Sequence, residues 1–175
     1  CENGGPGDPR LNGDPEGHKK FLIEEYNISL ESFGKINKKV NAGFYSMNYD
    51  VAKLIMDKET TQSLGNYVVI DHYIKDPVQV SEDARLIAAQ SGGKVVLGEL
   101  GAPIPDIHGE MSEEEQAAWI EAALEEAKKT PEIVGINYWV NVGGSTRLWS
   151  SDGIPRKAVE VLKRFYSATK LQSPR

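Results

Sequence analysis

Glu99 stands alone between glycines at the end of an apolar run, in "VVLGELG". A carboxylate at the tip of a short buried strand is placed to be presented, not merely solvated. Other chemistry-bearing residues gather after comparable apolar runs. Asp71, His72 and Tyr73 follow "VVI", and Tyr138, Trp139 and Asn141 follow "IVGIN". Acid, imidazole, phenol and indole at the same end of successive strands can hold a polar ligand, activate a nucleophile and stack against a ring. One further cluster, Asp106, His108 and Glu110, resembles a metal-ligand set only loosely and reads as loop or surface. No metal site and no cofactor are expected.

These residues need elements to hold them. Residues 1–17 are rich in glycine and proline and read as loop. Apolar residues fall roughly on one helical face over residues 18–39. Residues 40–47 read as a strand, and 51–59 as a helix with Asp50 as N-cap. A second strand is expected over residues 67–73. Ser81 is placed to cap a helix over 82–91, which Gly92 and Gly93 end. The third strand covers 94–100. Ser112 and Glu115 have the spacing of a capping box for a helix reaching Lys129. Within that helix Trp119 sits with Ile120 and Ala123 on an apolar face, as a packing residue. The fourth strand is 133–140, and Pro155 suits the start of a last helix ending near Ala168.

Strand and helix thus alternate, and the strands are apolar at consecutive positions, as when both faces are covered. The class is α/β with a parallel sheet. No GxGxxG or GxxxxGK phosphate loop follows any strand. Polar side chains at the strand ends favour part of a (β/α)8 barrel over an open nucleotide-binding sheet.

Composition sets the remaining bounds. The 175 residues are 39% apolar and carry a formal net charge of -6. The basic residues form no cluster, so nucleic acid is not an expected partner. No run of about eighteen apolar residues exists to cross a membrane. Cys1 is the only cysteine, so no internal disulfide can form. The acidic "SEEEQAAWIEAALEEAKK" reads as a solvated helix face.

Three stretches carry a resemblance. "LGELG" at 97–101, "GINYW" at 135–139 and "LWSSDGIPRKAVEVLKRFY" from Leu148 resemble the last strands of retaining glycoside hydrolases with a (β/α)8 barrel, the cellulase and β-galactosidase clan. The resemblance covers residues 67–166. It implies that the chain is the C-terminal part of such a barrel: a partial catalytic domain over residues 1–175, with strands five to eight, the loop after strand four and outer helices. By the same resemblance Glu99 is the nucleophile and Trp139 a sugar platform, which Trp149 extends. His72 or Tyr73 supports the nucleophile, Tyr73 through a hydrogen bond. Asn141 is a further candidate sugar contact. The clan's acid/base glutamate usually follows an asparagine, and Glu2 is the matching position, with Cys1 in place of that asparagine. The glycines beside Glu99 are expected to leave room for a sugar ring.

Retention needs two carboxyl groups about 5–5.5 Å apart, one ionised to attack the anomeric carbon and one protonated to release the leaving group. The implied function is O-glycosyl hydrolysis of β-linked oligo- or polysaccharide. The alternative is a non-catalytic carbohydrate-binding half-barrel, in which the tryptophans hold sugar without a complete acid pair. With strands one to three absent, the expected partners are the N-terminal half of the barrel or a second copy of the chain.

Overall fold

The computed structural model describes residues 4–36 and 46–168. Four strands form one sheet in the order β1 (Ser46–Asn48), β2 (Tyr67–Asp71), β3 (Lys94–Leu100) and β4 (Ile133–Tyr138). β1 pairs parallel with β2, and β2 with β3. β4 joins the edge of β3, where the Val95 N–H donates to the Glu132 carbonyl at 2.9 Å. The sheet is parallel and its order is sequential. Among the described residues it has no switch point of the kind that marks an open doubly wound sheet, and it is consistent with part of a barrel.

The helices are α1 (Pro9–Asn12), α2 (Pro15–Ile36), α3 (Tyr49–Ile55), α4 (Lys58–Ser63), α5 (Gln79–Ser91), α6 (Pro105–His108), α7 (Glu113–Lys128) and α8 (Ala158–Ala168). By their contacts they and the strands divide into two compact units. The first takes in the described residues of Cys1–His72, Asp83–Glu99 and Glu132–Ile136. The second takes in Tyr73–Glu82, Leu100–Pro131 and the described part of Asn137–Arg175.

In the first unit Val68, Ile70, Val95 and Leu97 of the sheet are fully buried, as are Val51, Ala52 and Ile55 of α3. Each large apolar side chain of this set contributes roughly 1.5–3 kcal/mol. The helix expected over 51–59 is two helices. Asp57, inside the expected span, caps the second by accepting the Thr60 N–H at 2.8 Å. An aspartate favours caps because its side chain competes for backbone N–H groups. Lys19 of α2 meets the same carboxylate at 2.7 Å and pins α2 to α4. That ion pair holds the Asp57 carboxyl down at about 2. Of the strand expected over 40–47, residues 40–45 lie outside the described region, as do 37–39 of the first helix.

In the second unit the capping box forms as its spacing requires. Ser112 Oγ accepts the Glu115 N–H at 3.2 Å, and Glu115 Oε2 accepts the Ser112 N–H at 2.8 Å. Trp119 is buried, and its Nε1–H donates to the Lys75 carbonyl at 2.9 Å. α7 packs along α8. Ser81 is not a cap: α5 begins earlier, at Gln79, and the Ser81 hydroxyl donates back to the Val78 carbonyl at 3.0 Å. Asp76 takes the turn's N–H instead, that of Val78, at 3.0 Å.

Candidate active site

β3 covers Lys94–Leu100, the span read from the sequence, but its geometry breaks at Gly98. Val69 pairs with Val96 and Ile70 with Leu97, whereas Asp71 pairs with Glu99. Gly98 is the extra residue of a bulge. Side chains alternate faces along a strand, so one inserted residue exchanges the faces of all that follow. Without it Gly98 would lie beside Asp71, and Glu99 would turn to the opposite face. The bulge brings Glu99 beside Asp71 instead. Beyond this pair the His72 N–H donates to the Glu99 carbonyl at 2.8 Å, which fixes the strand end.

Glycine at 98 is required by packing. A Cβ there would stand 2.0 Å from Ser46 Oγ and 2.7 Å from Val69 Cγ1. At Gly101, in the second unit, a Cβ would stand 2.3 Å from the Trp139 carbonyl oxygen. The expectation that these glycines leave room for a sugar ring is therefore corrected: the protein itself fills both positions. Ser46, freed to lie across Gly98, hydrogen-bonds Asp71 Oδ1 through its hydroxyl.

His72 lies inside the first unit and is only 3% exposed. Its ring packs 4.9 Å from that of Tyr49. Nε2 lies 3.0 Å from Asp83 Oδ2, without the alignment of a hydrogen bond. Burial pushes the imidazole below its ordinary value, against the pull of Asp83. Burial and the same carboxylate push the Tyr49 phenol up. The backbone N–H of His72 is what ties it to Glu99 at the strand end.

Tyr73, Trp139, Asn141 and Trp149 belong to the second unit. Tyr73 is half-buried. Trp139 is 47% exposed although its N–H is tied to the Leu100 carbonyl at 3.0 Å, so its backbone is fixed while the indole meets solvent. The Trp139–Val140 peptide is cis. The Asn141 carbonyl accepts the N–H groups of Leu148 and Trp149, both at 3.0 Å, closing the base of the loop between the two tryptophans. Glu2 lies outside the described residues.

A buried amide organises this loop. Gln116 of α7 is fully buried. Its Nε2 faces the carbonyls of Ala102 at 2.8 Å, Thr146 at 3.2 Å and Arg147 at 3.3 Å, and the Tyr138 hydroxyl at 3.2 Å. Arg156 Nε donates to its Oε1 at 2.7 Å. The Tyr138 hydroxyl donates to the Thr146 carbonyl at 2.7 Å, and burial pushes its pKa up to about 12. His108 is spent in a similar way. Nδ1 accepts the Ile104 N–H at 2.9 Å, Nε2 donates to the Ile74 carbonyl at 2.8 Å, and the ring stands edge-on to Trp119. Among the described residues no group of three His, Cys, Asp or Glu could hold a metal ion.

Sequence reasoning passed over Ser46, Gln116 and the part taken by Asp71. Asp71 carried a signal, as an acid ending a strand. Ser46 and Gln116 carried none, because both act across long sequence separations.

No protein-family model matches the chain, and no curated protein matches it. Solved structures of glycoside hydrolases do match in fold. An agarase superimposes with a TM-score of 0.58 at 13% identity, over 95% of this chain and 30% of its own. A β-D-glucuronidase of Dictyoglomus thermophilum superimposes with a TM-score of 0.51 at 16% identity, over 60% of this chain and 23% of its own. The chain thus spans under a third of either. The likeness is one of fold, to part of a glycoside hydrolase of the barrel type.

Proposed function

We propose that the protein carrying this chain is a retaining glycoside hydrolase acting on β-linked carbohydrate, with Glu99 as nucleophile and Glu2 as acid/base. One observation carries the reading. Glu99 is the penultimate residue of a strand in a sequentially ordered parallel sheet and is turned by the Gly98 bulge onto the face of Asp71. Barrel enzymes build their active sites at that end of the strands. The Glu99 carboxylate attacks the anomeric carbon as the bond to the leaving oxygen breaks. That oxygen takes the proton of Glu2, and water, deprotonated by Glu2, then cleaves the glycosyl ester. Tyr73, Trp139, Asn141 and Trp149 supply sugar contacts. His72 holds the strand end. The missing surface comes from further barrel strands or a second copy.

The test is covalent trapping. The protein is incubated with 2-deoxy-2-fluoro-β-glycosyl fluorides of neutral and uronic sugars, digested, and its peptides weighed. The expected label sits on the peptide containing Glu99 and disappears in Glu99→Gln. Turnover with inversion, or a label on another carboxylate, sinks the assignment. The exposed indole of Trp139 also favours the binding-only reading. Sugar binding without turnover, weakened by Trp139→Ala, would establish that one instead.

A further inference from the structure

Resting on that reading, we infer that Asp71 is a specificity residue of the same site. Its carboxylate, held by Ser46, accepts one hydroxyl of the sugar bound at Glu99 and selects a neutral ring over a uronate.

The register carries the placement. Asp71 and Glu99 are Cα partners on neighbouring strands, about 4.7–4.9 Å apart in a sheet, and the bulge puts both on one face. A sugar whose anomeric carbon meets Glu99 brings its ring hydroxyls within reach of the adjacent strand end. Asp71 is half-buried, and Ser46 fixes its Oδ1. Among the described residues no other group bonds its carboxylate, which leaves Oδ2 as an acceptor with a fixed direction. An acceptor held in place binds a hydroxyl without first losing rotamer freedom. Gly98 makes this possible, since any side chain there would displace the Ser46 hydroxyl.

Charge sets the class of sugar. A uronate bound at Glu99 would face two carboxylates on adjacent strands, and like charges placed together are strongly disfavoured in a partly dehydrated site. A neutral ring donates a hydroxyl to the same group.

The experiment compares the protein with its Asp71→Asn variant on 4-nitrophenyl β-D-glucoside, β-D-galactoside and β-D-glucuronide. Monodeoxy versions of the better neutral substrate complete the panel. Asparagine keeps the acceptor for Ser46 and the shape. The unchanged protein should favour a neutral glycoside over the glucuronide. In Asp71→Asn, kcat/KM on that glycoside should fall about 10–100-fold, while the glucuronide holds or improves. One monodeoxy substrate should be cleaved equally by both proteins, which marks the hydroxyl that Asp71 takes. Ser46→Ala should lose the same hydroxyl's contribution to a smaller degree. Preference of the unchanged protein for the glucuronide, an unaltered Asp71→Asn, or an equal loss on every deoxy substrate overturns the inference while Glu99 is still labelled. Absence of label on Glu99 with every fluoroglycoside removes the glycosidase reading, and this inference with it.

Discussion

Replacing Gln116 by leucine tests whether the second unit is organised around one buried amide. The side chain has no exposure, so everything it loses is lost inside the protein. Its Oε1 accepts from the charged Arg156 guanidinium at 2.7 Å, a bond worth about 1.5–3 kcal/mol. Its amide has only two hydrogens for the four oxygens within 3.3 Å, so two bonds count, at about 0.5–1.5 kcal/mol each. The gross loss is roughly 2.5–6 kcal/mol. Burial of leucine returns roughly 1.5–3 kcal/mol, and the single hydrogen of the Tyr138 hydroxyl still serves the Thr146 carbonyl. A net loss of about 2 kcal/mol remains, or roughly 4–8 °C in Tm. Trp119, Trp139 and Trp149 all lie in the second unit, so their fluorescence in a urea titration reports that unit. A cycle with Arg156→Met should show a coupling of about 1.5–3 kcal/mol. A loss below about 0.5 kcal/mol, or strict additivity with Arg156→Met, would refute the reasoning.

Gly98→Ala should destabilise the first unit by about 1–3 kcal/mol, because the new methyl meets the buried Val69 and displaces Ser46. Unchanged urea unfolding by circular dichroism, with the Ser46–Asp71 bond intact in a crystal structure, would sink this. Asp57 predicts a pH effect. Its carboxyl is held at about 2 by Lys19, so its contribution is complete above the ordinary value near 4 and is lost as pH falls toward 2. Asp57→Asn keeps the cap but not the ion pair, and its stability should fall less steeply between pH 4 and 2. Parallel curves for the two proteins would count against the ion pair.

Much of the positioning was legible in the sequence, because it follows from local rules. The span of β3, with Glu99 near its end, is set by an apolar run between glycines and carries over residue for residue. The capping box of Ser112 and Glu115 forms because both partners lie within one helical turn, so no other part of the chain can alter the match. The alternation of strand and helix fixed the α/β class for the same reason. Where two local signals competed, the reading slipped. Asp50 reads as a cap but lies inside the first turn of α3, which Asn48 precedes as N-cap, while Asp57 caps α4. Ser81 has a cap's residue type, but Asp76 takes the turn's N–H.

What the tertiary structure decided depends on which strand lies beside which. "GELG" gives no sign that Gly98 is a bulge, because a bulge is a mismatch between two strands and a single strand has no register. The glycines alone suggested open space, and only their neighbours Ser46, Val69 and the Trp139 carbonyl show that space to be filled. His72 sits beside Asp71 in the chain yet turns into the core toward Tyr49 and Asp83, since consecutive residues at a strand end face opposite ways. Ser46 reaches Asp71, and Gln116 reaches Arg156, only because folding closes the long loops between them. Short-range propensity carries no trace of such contacts.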